Sequence, residues 1–118
     1  MPANVIIVHD DPIFVTAVAV ELRLADHHVV TFRDPLEALP VLETKQPFDV
    51  LITRMRFAPG RSNGIALAQM TRLKRPEIKV LFTVAPENIE HTEGLGEFLA
   101  APIDIRELAA MVNKLSLG

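Results

Sequence analysis

Short runs of apolar, mostly β-branched residues recur along the chain, and longer segments with helical spacing separate them. The first run, at residues 5–8, has no alternation between apolar and polar positions, which favours a strand buried on both faces. The pattern predicts five strands, at residues 5–8, 28–32, 49–53, 78–83 and 97–100.

Helical segments are predicted after each strand, and aspartate and proline mark several of their starts. Asp11-Pro12 and Asp34-Pro35 each place a capping side chain before a proline that suits the first helical turn. Pro40 lies inside the second helix, where we expect a kink or a break. The predicted helices run from Pro12 to about residue 25, from Pro35 onward, over 64–74, over 86–93, and onward from Pro102 and Asp104.

Strands that alternate with helices predict an α/β fold with a parallel sheet covered on both faces. In such doubly wound sheets, function lies at the carboxyl ends of the strands. Five residues are predicted to meet at that edge: His9, Asp10, Arg54, Thr83 and Ala101.

Composition narrows the class of protein further. The chain has 118 residues, of which 49% are hydrophobic and 23% charged. We therefore expect one globular domain over 1–118, with no output domain. A net charge of −3 argues against nucleic acid as the partner. The absence of cysteine excludes a thiolate metal site. No apolar run reaches membrane-spanning length and residues 1–4 lack a basic signal region, so we expect a cytoplasmic protein without membrane contact.

Several short segments carry a family resemblance when they are taken together and in order. They are Val8-His9-Asp10-Asp11-Pro12, Asp49-Val50-Leu51-Ile52, Pro59 with Gly64, Leu81-Phe82-Thr83, and Phe98-Leu99-Ala100-Ala101-Pro102-Ile103-Asp104 followed by Glu107-Leu108. Over nearly its whole length the chain resembles the receiver domain of two-component response regulators. That resemblance implies a flavodoxin-like sheet of strand order 2-1-3-4-5 with helices on both faces.

A working receiver has two acidic Mg²⁺ ligands, an acceptor aspartate, a hydroxyl residue and a lysine. Here Asp10 aligns with one metal ligand, whereas His9 replaces the other. Arg54 stands in place of the acceptor, and Ala101 in place of the lysine before Pro102. The remaining members of this degenerate phosphorylation site are Asp11, next to the metal position, and Thr83, at the hydroxyl position. Phe98 occupies the aromatic switch position.

A guanidinium cannot accept a phosphoryl group, because it is a permanent cation with only hydrogen-bond donors. The resemblance therefore implies a pseudo-receiver that is not an enzyme and needs no cofactor. No metal is expected, with Asp10 as the residual candidate ligand. We expect Arg54 to replace Mg²⁺ by pairing with Asp10 or Asp11; the alternative is that Arg54 points into solvent.

His9 has three interpretations: a metal ligand, a pH sensor, or a polar residue tolerated at a strand end. Arg54, Arg56 and Arg61 could together bind an anion, or their loop could simply be solvated. The first helix is apolar over more than one stripe, which predicts a homodimer or a protein partner through it, with the last helix as a second candidate surface. Close packing of Ala17 and Ala19 on the sheet is the alternative.

Two classes of function remain open. The first is an interaction module of a phosphorelay, whose partner would be a histidine kinase, a phosphotransfer protein or another regulator. The second is a sensor of a small anion or nucleotide on the same fold. The segment after the first strand contains no glycine-rich phosphate loop, which disfavours a dinucleotide or flavin. A phosphorylatable receiver would require a different alignment, although two essential groups are missing at independent positions.

Overall fold

A computed structural model describes residues 2–57, 63–92 and 94–117 of the chain. Within these ranges, five strands alternate with four α-helices and one 3₁₀ helix. The strands are β1 (Asn4–Val8), β2 (His28–Phe32), β3 (Val50–Arg54), β4 (Lys79–Val84) and β5 (Glu97–Ala100). The helices are α1 (Pro12–Leu24), α2 (Pro35–Leu42), α3 (Gly64–Lys74), α4 (Ile105–Leu117) and the 3₁₀ helix Pro86–Thr92.

All five strands are parallel and lie in the order β2-β1-β3-β4-β5, which confirms the predicted sheet. Strand β1 shows how the sheet divides the core. Ile6 and Val8 contact one apolar cluster, whereas Val5 and Ile7 contact the other. Residues from α2 and α3 complete the first cluster, and residues from α1 and α4 complete the second. Both faces are therefore covered, as a parallel sheet requires.

Side-chain caps start the α-helices where the sequence predicts them. Asp11 Oδ1 accepts hydrogen bonds from the amides of Ile13 and Phe14 at 3.0 and 3.4 Å. The other N-terminal caps are made by Asp34, Asn63 and Asp104, each of which accepts at least one amide hydrogen bond. These bonds occupy amides that lack an intrahelical partner and set where each helix begins.

Helix α2 is not broken at Pro40, so that part of the prediction is wrong. The helix continues through Pro40 and ends two residues later, at Leu42. The missing hydrogen bond is the one that the Leu36 carbonyl would accept from residue 40, in the first turn of the helix, and residue Leu36 is 66% exposed. Water can reach this turn, which lowers the cost of the missing bond.

Strand β3 begins and ends one residue later than the sequence predicts, as does β4. Arg54 is therefore the last residue of β3 and pairs with Thr83 of β4, rather than the first residue of a loop. Asp49 precedes the strand, and its Oδ2 accepts a hydrogen bond from the Asn4 amide at 2.7 Å, at the opposite end of the sheet.

One stripe of α1 remains open to solvent. Val18 and Leu22 pack in the apolar cluster that α1 shares with the sheet and α4, and Ala19 is buried as well. Of the two alanines named in the alternative interpretation, Ala19 is therefore buried and Ala17 is not. The opposite side exposes an apolar stripe made of Ile13, Ala17, Val20 and Leu24. None of the helices in the described ranges combines the length and the apolar character that crossing a membrane requires.

Candidate functional site

The parallel register brings the predicted site residues to one edge of the sheet. Val8 pairs with Thr53 between β1 and β3, and Arg54 pairs with Thr83 between β3 and β4. His9 and Asp10 come directly after β1, and Ala101 directly after β5. Carboxyl ends of neighbouring parallel strands share an edge, which is why residues far apart in sequence meet here.

An ion pair joins β3 to the loop after β1. Arg54 Nη1 donates a hydrogen bond of 2.6 Å to Asp10 Oδ1. The Arg54 side chain is 45% exposed and that of Asp10 is 28% exposed, so the pair lies at the rim of the site and remains in contact with water. The predicted pairing of Arg54 with an acidic residue is confirmed, and Asp10 is the partner.

Asp11 does not pair with Arg54, because its carboxylate accepts hydrogen bonds from backbone amides. It caps α1 through the two amides described above. The positive end of the helix therefore compensates the charge of Asp11, while Arg54 compensates that of Asp10.

His9 is a buried, neutral ring held by specific contacts. Its Nδ1 accepts a hydrogen bond of 3.1 Å from the Asp11 amide, which places the proton on Nε2. The ring lies against Phe14, with centroids 4.4 Å apart and planes at 34°. Burial, followed by the nearby charge of Arg54, lowers the pKa of His9 below its ordinary value, and the carboxylates of Asp10 and Asp11 offset only part of that shift. Nδ1 lies 3.8 Å from Asp10 Oδ1, but a neutral ring forms no ion pair there.

Thr83 is the most unusual polar residue of the site. It is 4% exposed, and its hydroxyl oxygen has no hydrogen-bond partner among the described residues. Nearby, the Ala101–Pro102 peptide is cis and the Ala101 side chain is exposed. A buried hydroxyl without a protein partner carries a desolvation cost.

A cavity of about 330 Å³ opens at this edge. Part of its lining was predicted from the sequence: His9, Asp11, Arg54, Arg56, Thr83 and Ala101. The sequence analysis missed a second, largely apolar part: Phe14, Met55, Val84, Ala85, Asn88 and Ile103. Phe14 could have been found, because it lies on the first turn of a helix that starts at the site. Asn88 could not, since it depends on how the 3₁₀ helix folds back over β4.

The three arginines proposed for anion binding have different outcomes. Arg54 is paired with Asp10. Arg56 is exposed, lines the cavity and makes no ion pair with a described residue. Arg61, like Pro59 of the sequence resemblance, lies outside the described residues.

Phe98, at the switch position, is 38% exposed on the edge strand β5. It pairs in register with Phe82, which is fully buried. The segment that precedes β5 is the short 3₁₀ helix Pro86–Thr92, where the sequence predicts a short helical segment.

The residues at this edge do not fit a Mg²⁺ site. Mg²⁺ requires oxygen ligands in near-octahedral geometry, usually one or two carboxylates. Asp10 is engaged by Arg54, Asp11 caps α1, and a histidine stands at the remaining acidic position. Throughout residues 2–57, 63–92 and 94–117, no group of three His, Cys, Asp or Glu side chains is arranged to hold a metal ion.

No family model matches the chain. Solved structures do resemble it. A response regulator receiver domain protein from Clostridium thermocellum matches with a TM-score of 0.83 at 20% identity, over 96% of this chain and 93% of that one. The chemotaxis response regulator CheY4 of Vibrio cholerae matches with a TM-score of 0.83 at 23% identity, over 98% and 99%. An adenylate cyclase structure from Rhodopirellula baltica matches with a TM-score of 0.87 at 25% identity, over 98% and 87%. The chain therefore has the fold of receiver domains, as the sequence resemblance implied.

Proposed function

We propose that this receiver-like domain is a non-catalytic interaction module of a cytoplasmic two-component pathway, and that it acts without accepting a phosphoryl group. The observation that carries the proposal is the 2.6 Å hydrogen bond between Arg54 and Asp10. A fixed cation stands where a receiver has its acceptor aspartate, and the carboxylate that it contacts, that of Asp10, is held in the ion pair.

The three aspartates close to β1 and β3 in the described part of the chain do not offer a substitute acceptor. Asp10 is bonded to Arg54, and Asp11 is bonded to two amides of α1. Asp49 is bonded to the Asn4 amide at the far end of the sheet. Phosphoryl transfer also needs charge neutralisation, which in a receiver comes from a metal and a lysine. Ala101 provides no charge at the lysine position.

Partner binding is assigned to the exposed apolar stripe of α1. Ile13 and Leu24, at its two ends, are 82% and 77% exposed. The stripe is about 17 Å long, from eleven helical steps, and about one helix diameter wide. That footprint is well below the roughly 800 Å² per partner of a stable interface, and it suits a weak, transient signalling contact. The small size of the stripe favours transient binding to a helical protein of the same pathway, such as a histidine kinase or phosphotransfer protein, over a stable homodimer.

The phosphorylation claim is tested by incubating the full chain with acetyl phosphate and Mg²⁺ and measuring its intact mass. We expect no phosphoryl adduct. A matched variant carrying His9→Asp, Arg54→Asp and Ala101→Lys restores the groups that the family resemblance implies, and it is expected to gain an alkali-labile adduct. An aspartyl phosphate on the unmodified chain contradicts the proposal.

The docking claim is tested with a photocrosslinking residue at position 20, in cells that produce the full pathway. The expected product is a crosslink to a histidine kinase or phosphotransfer protein, reproduced with the two purified proteins. The same crosslinker at the exposed position Lys79, at the other end of the sheet, is the matched control. Crosslinks only between copies of this chain, or equal crosslinking from both positions, would contradict the assignment.

A further inference from the structure

The cavity at the carboxyl edge of the sheet has the features of a ligand site in its own right. Its volume of about 330 Å³ is at the lower end of the range for small-molecule pockets. At the position of the family's lysine, Ala101 has only a methyl group, and Ala101 lines the cavity. The space is thus available to a ligand of modest size.

Thr83 is a residue of the cavity wall with an unmet hydrogen bond. Its residue lines the cavity, and its hydroxyl is buried without a hydrogen-bond partner in the described part of the chain. Buried hydroxyl groups almost always have partners, and each exception calls for an explanation. A bound molecule with an acceptor oxygen provides one when the covered hydroxyl rotates toward the cavity and donates to it, as a water molecule would otherwise accept it.

Charges around the cavity define the ligand further. Asp10 neutralises Arg54, and the amides at the start of α1 compensate Asp11. Arg56 remains as a cation that lines the cavity and has no acidic partner among the described residues. One unpaired guanidinium favours a ligand with a single negative charge.

Apolar side chains form the rest of the wall. Met55 and Val84 are almost fully buried, and Phe14 and Ile103 are partly buried. Contact with a fully hydrated ion such as inorganic phosphate buries little apolar surface and so adds little binding free energy here. A ligand with an apolar body buries more apolar surface and binds more favourably.

We propose that this cavity binds a small organic monocarboxylate non-covalently, with the carboxylate paired to Arg56, the Thr83 hydroxyl donating to an acceptor oxygen, and an apolar body against Phe14, Met55 and Val84. The emptied phosphorylation edge then serves as a ligand site. The inference rests on the proposal that this edge takes no phosphoryl group, but carboxylate binding is measured separately from the acetyl phosphate test and from partner identity.

Fluorine NMR on the full chain tests it, with 4-fluorobenzoate and 4-fluorophenylacetate as probes. Saturable binding of at least one carboxylate is expected. Its uncharged amide, inorganic phosphate and AMP are expected to bind at least about tenfold more weakly, as loss of a charge-assisted hydrogen bond implies. No saturable binding by either carboxylate, equal binding of the amide, or tighter binding of phosphate or AMP overturns the inference.

Variants locate the binding on the protein. Arg56→Gln is expected to weaken carboxylate binding by about tenfold or more, and Thr83→Val by several-fold. Ala101→Met, which fills the cavity from its rim, is expected to abolish it. Arg106→Gln removes an exposed arginine outside the cavity and serves as the matched control, with no change expected. Thermal unfolding checks that each variant is folded, and carboxylate binding that survives both Arg56→Gln and Ala101→Met places the ligand elsewhere and refutes the assignment.

Discussion

Arg54 Nη1 and Asp10 Oδ1 lie 2.6 Å apart, so the last residue of β3 is tied directly to the loop after β1. The two residues are 44 positions apart in the chain and meet because their strands are neighbours in a parallel sheet. Since both side chains are partly exposed, the pair contributes more to the chemistry of the edge than to the stability of the fold.

A double-mutant cycle measures that contribution. Arg54→Ala and Asp10→Ala are each expected to lower the free energy of unfolding by about 1 kcal/mol or less, with a coupling of about 0.2–1 kcal/mol that decreases with salt. Urea unfolding of the wild type, both single variants and the double variant gives the coupling energy. A coupling of several kcal/mol, or one unaffected by salt, would contradict a solvated rim pair.

Gly64 is required by a close backbone approach where α3 begins. Its amide donates a 2.9 Å hydrogen bond to the Met55 carbonyl, and an added Cβ would collide with the Arg54 carbonyl. Gly64→Ala is expected to lower the free energy of unfolding by about 2–3 kcal/mol, because a backbone group would have to move. Chemical unfolding measures the loss.

Gly94→Ala is the matched control for that variant. Gly94 has a φ of +76° and open space around the added carbon, so only backbone strain of about 1 kcal/mol is expected. If Gly64→Ala lowers the free energy of unfolding no more than Gly94→Ala does, the backbone near Arg54 can move aside at little energetic cost.

His9 is expected to make stability depend on pH. Burial and the charge of Arg54 lower the pKa of its ring in the folded protein, so the unfolded chain binds the proton more readily. The stability that the neutral ring confers is complete above its ordinary pKa of about 6.5. It declines as the pH falls below that value and stops declining below the lowered folded pKa.

Unfolding free energies of the wild type and His9→Asn, measured between pH 8 and 5, isolate this effect. Asparagine keeps an acceptor for the Asp11 amide but does not titrate in this range. The difference between the two proteins should shrink as the pH falls. A difference that is constant with pH would show that His9 has the same proton affinity in the folded and unfolded states.

His27 connects the amino-terminal strand to the last helix. Its Nδ1 accepts a 2.9 Å hydrogen bond from the Ala3 amide, and Nε2 therefore donates to Asn113 Oδ1 at 2.7 Å. Asn113→Leu leaves the Nε2 proton without this acceptor and is expected to cost about 1–3 kcal/mol of unfolding free energy. Lys114→Ala, at the exposed neighbouring position, is the control and is expected to change stability by less than about 0.5 kcal/mol. Equal effects of both substitutions would mean that water replaces Asn113.

The linear pattern of the chain was enough to predict the type and order of the strands and helices. An apolar β-branched run such as that of β1 favours a strand whose two faces are both covered. Asp11 and Asp34 mark helix starts because their side chains bond the amides of the first turn. The family resemblance then led to the strand order and to the meeting of Asp10 with Arg54. The expected break at Pro40 does not occur, because the lost hydrogen bond falls in an exposed turn of α2.

Tertiary packing alone decided the rest. Arg54 pairs with Asp10 and not with Asp11, whose carboxylate is engaged as the cap of α1. The unpartnered hydroxyl of Thr83 and the cavity beside it arise from how β4, the 3₁₀ helix and the segment after β5 fit together. The exposed side of α1 was settled by the rotation of that helix on the sheet. Whether a side chain is buried or lacks a hydrogen-bond partner depends on which distant residues folding places around it. These properties therefore cannot be read from the residue and its neighbours in sequence.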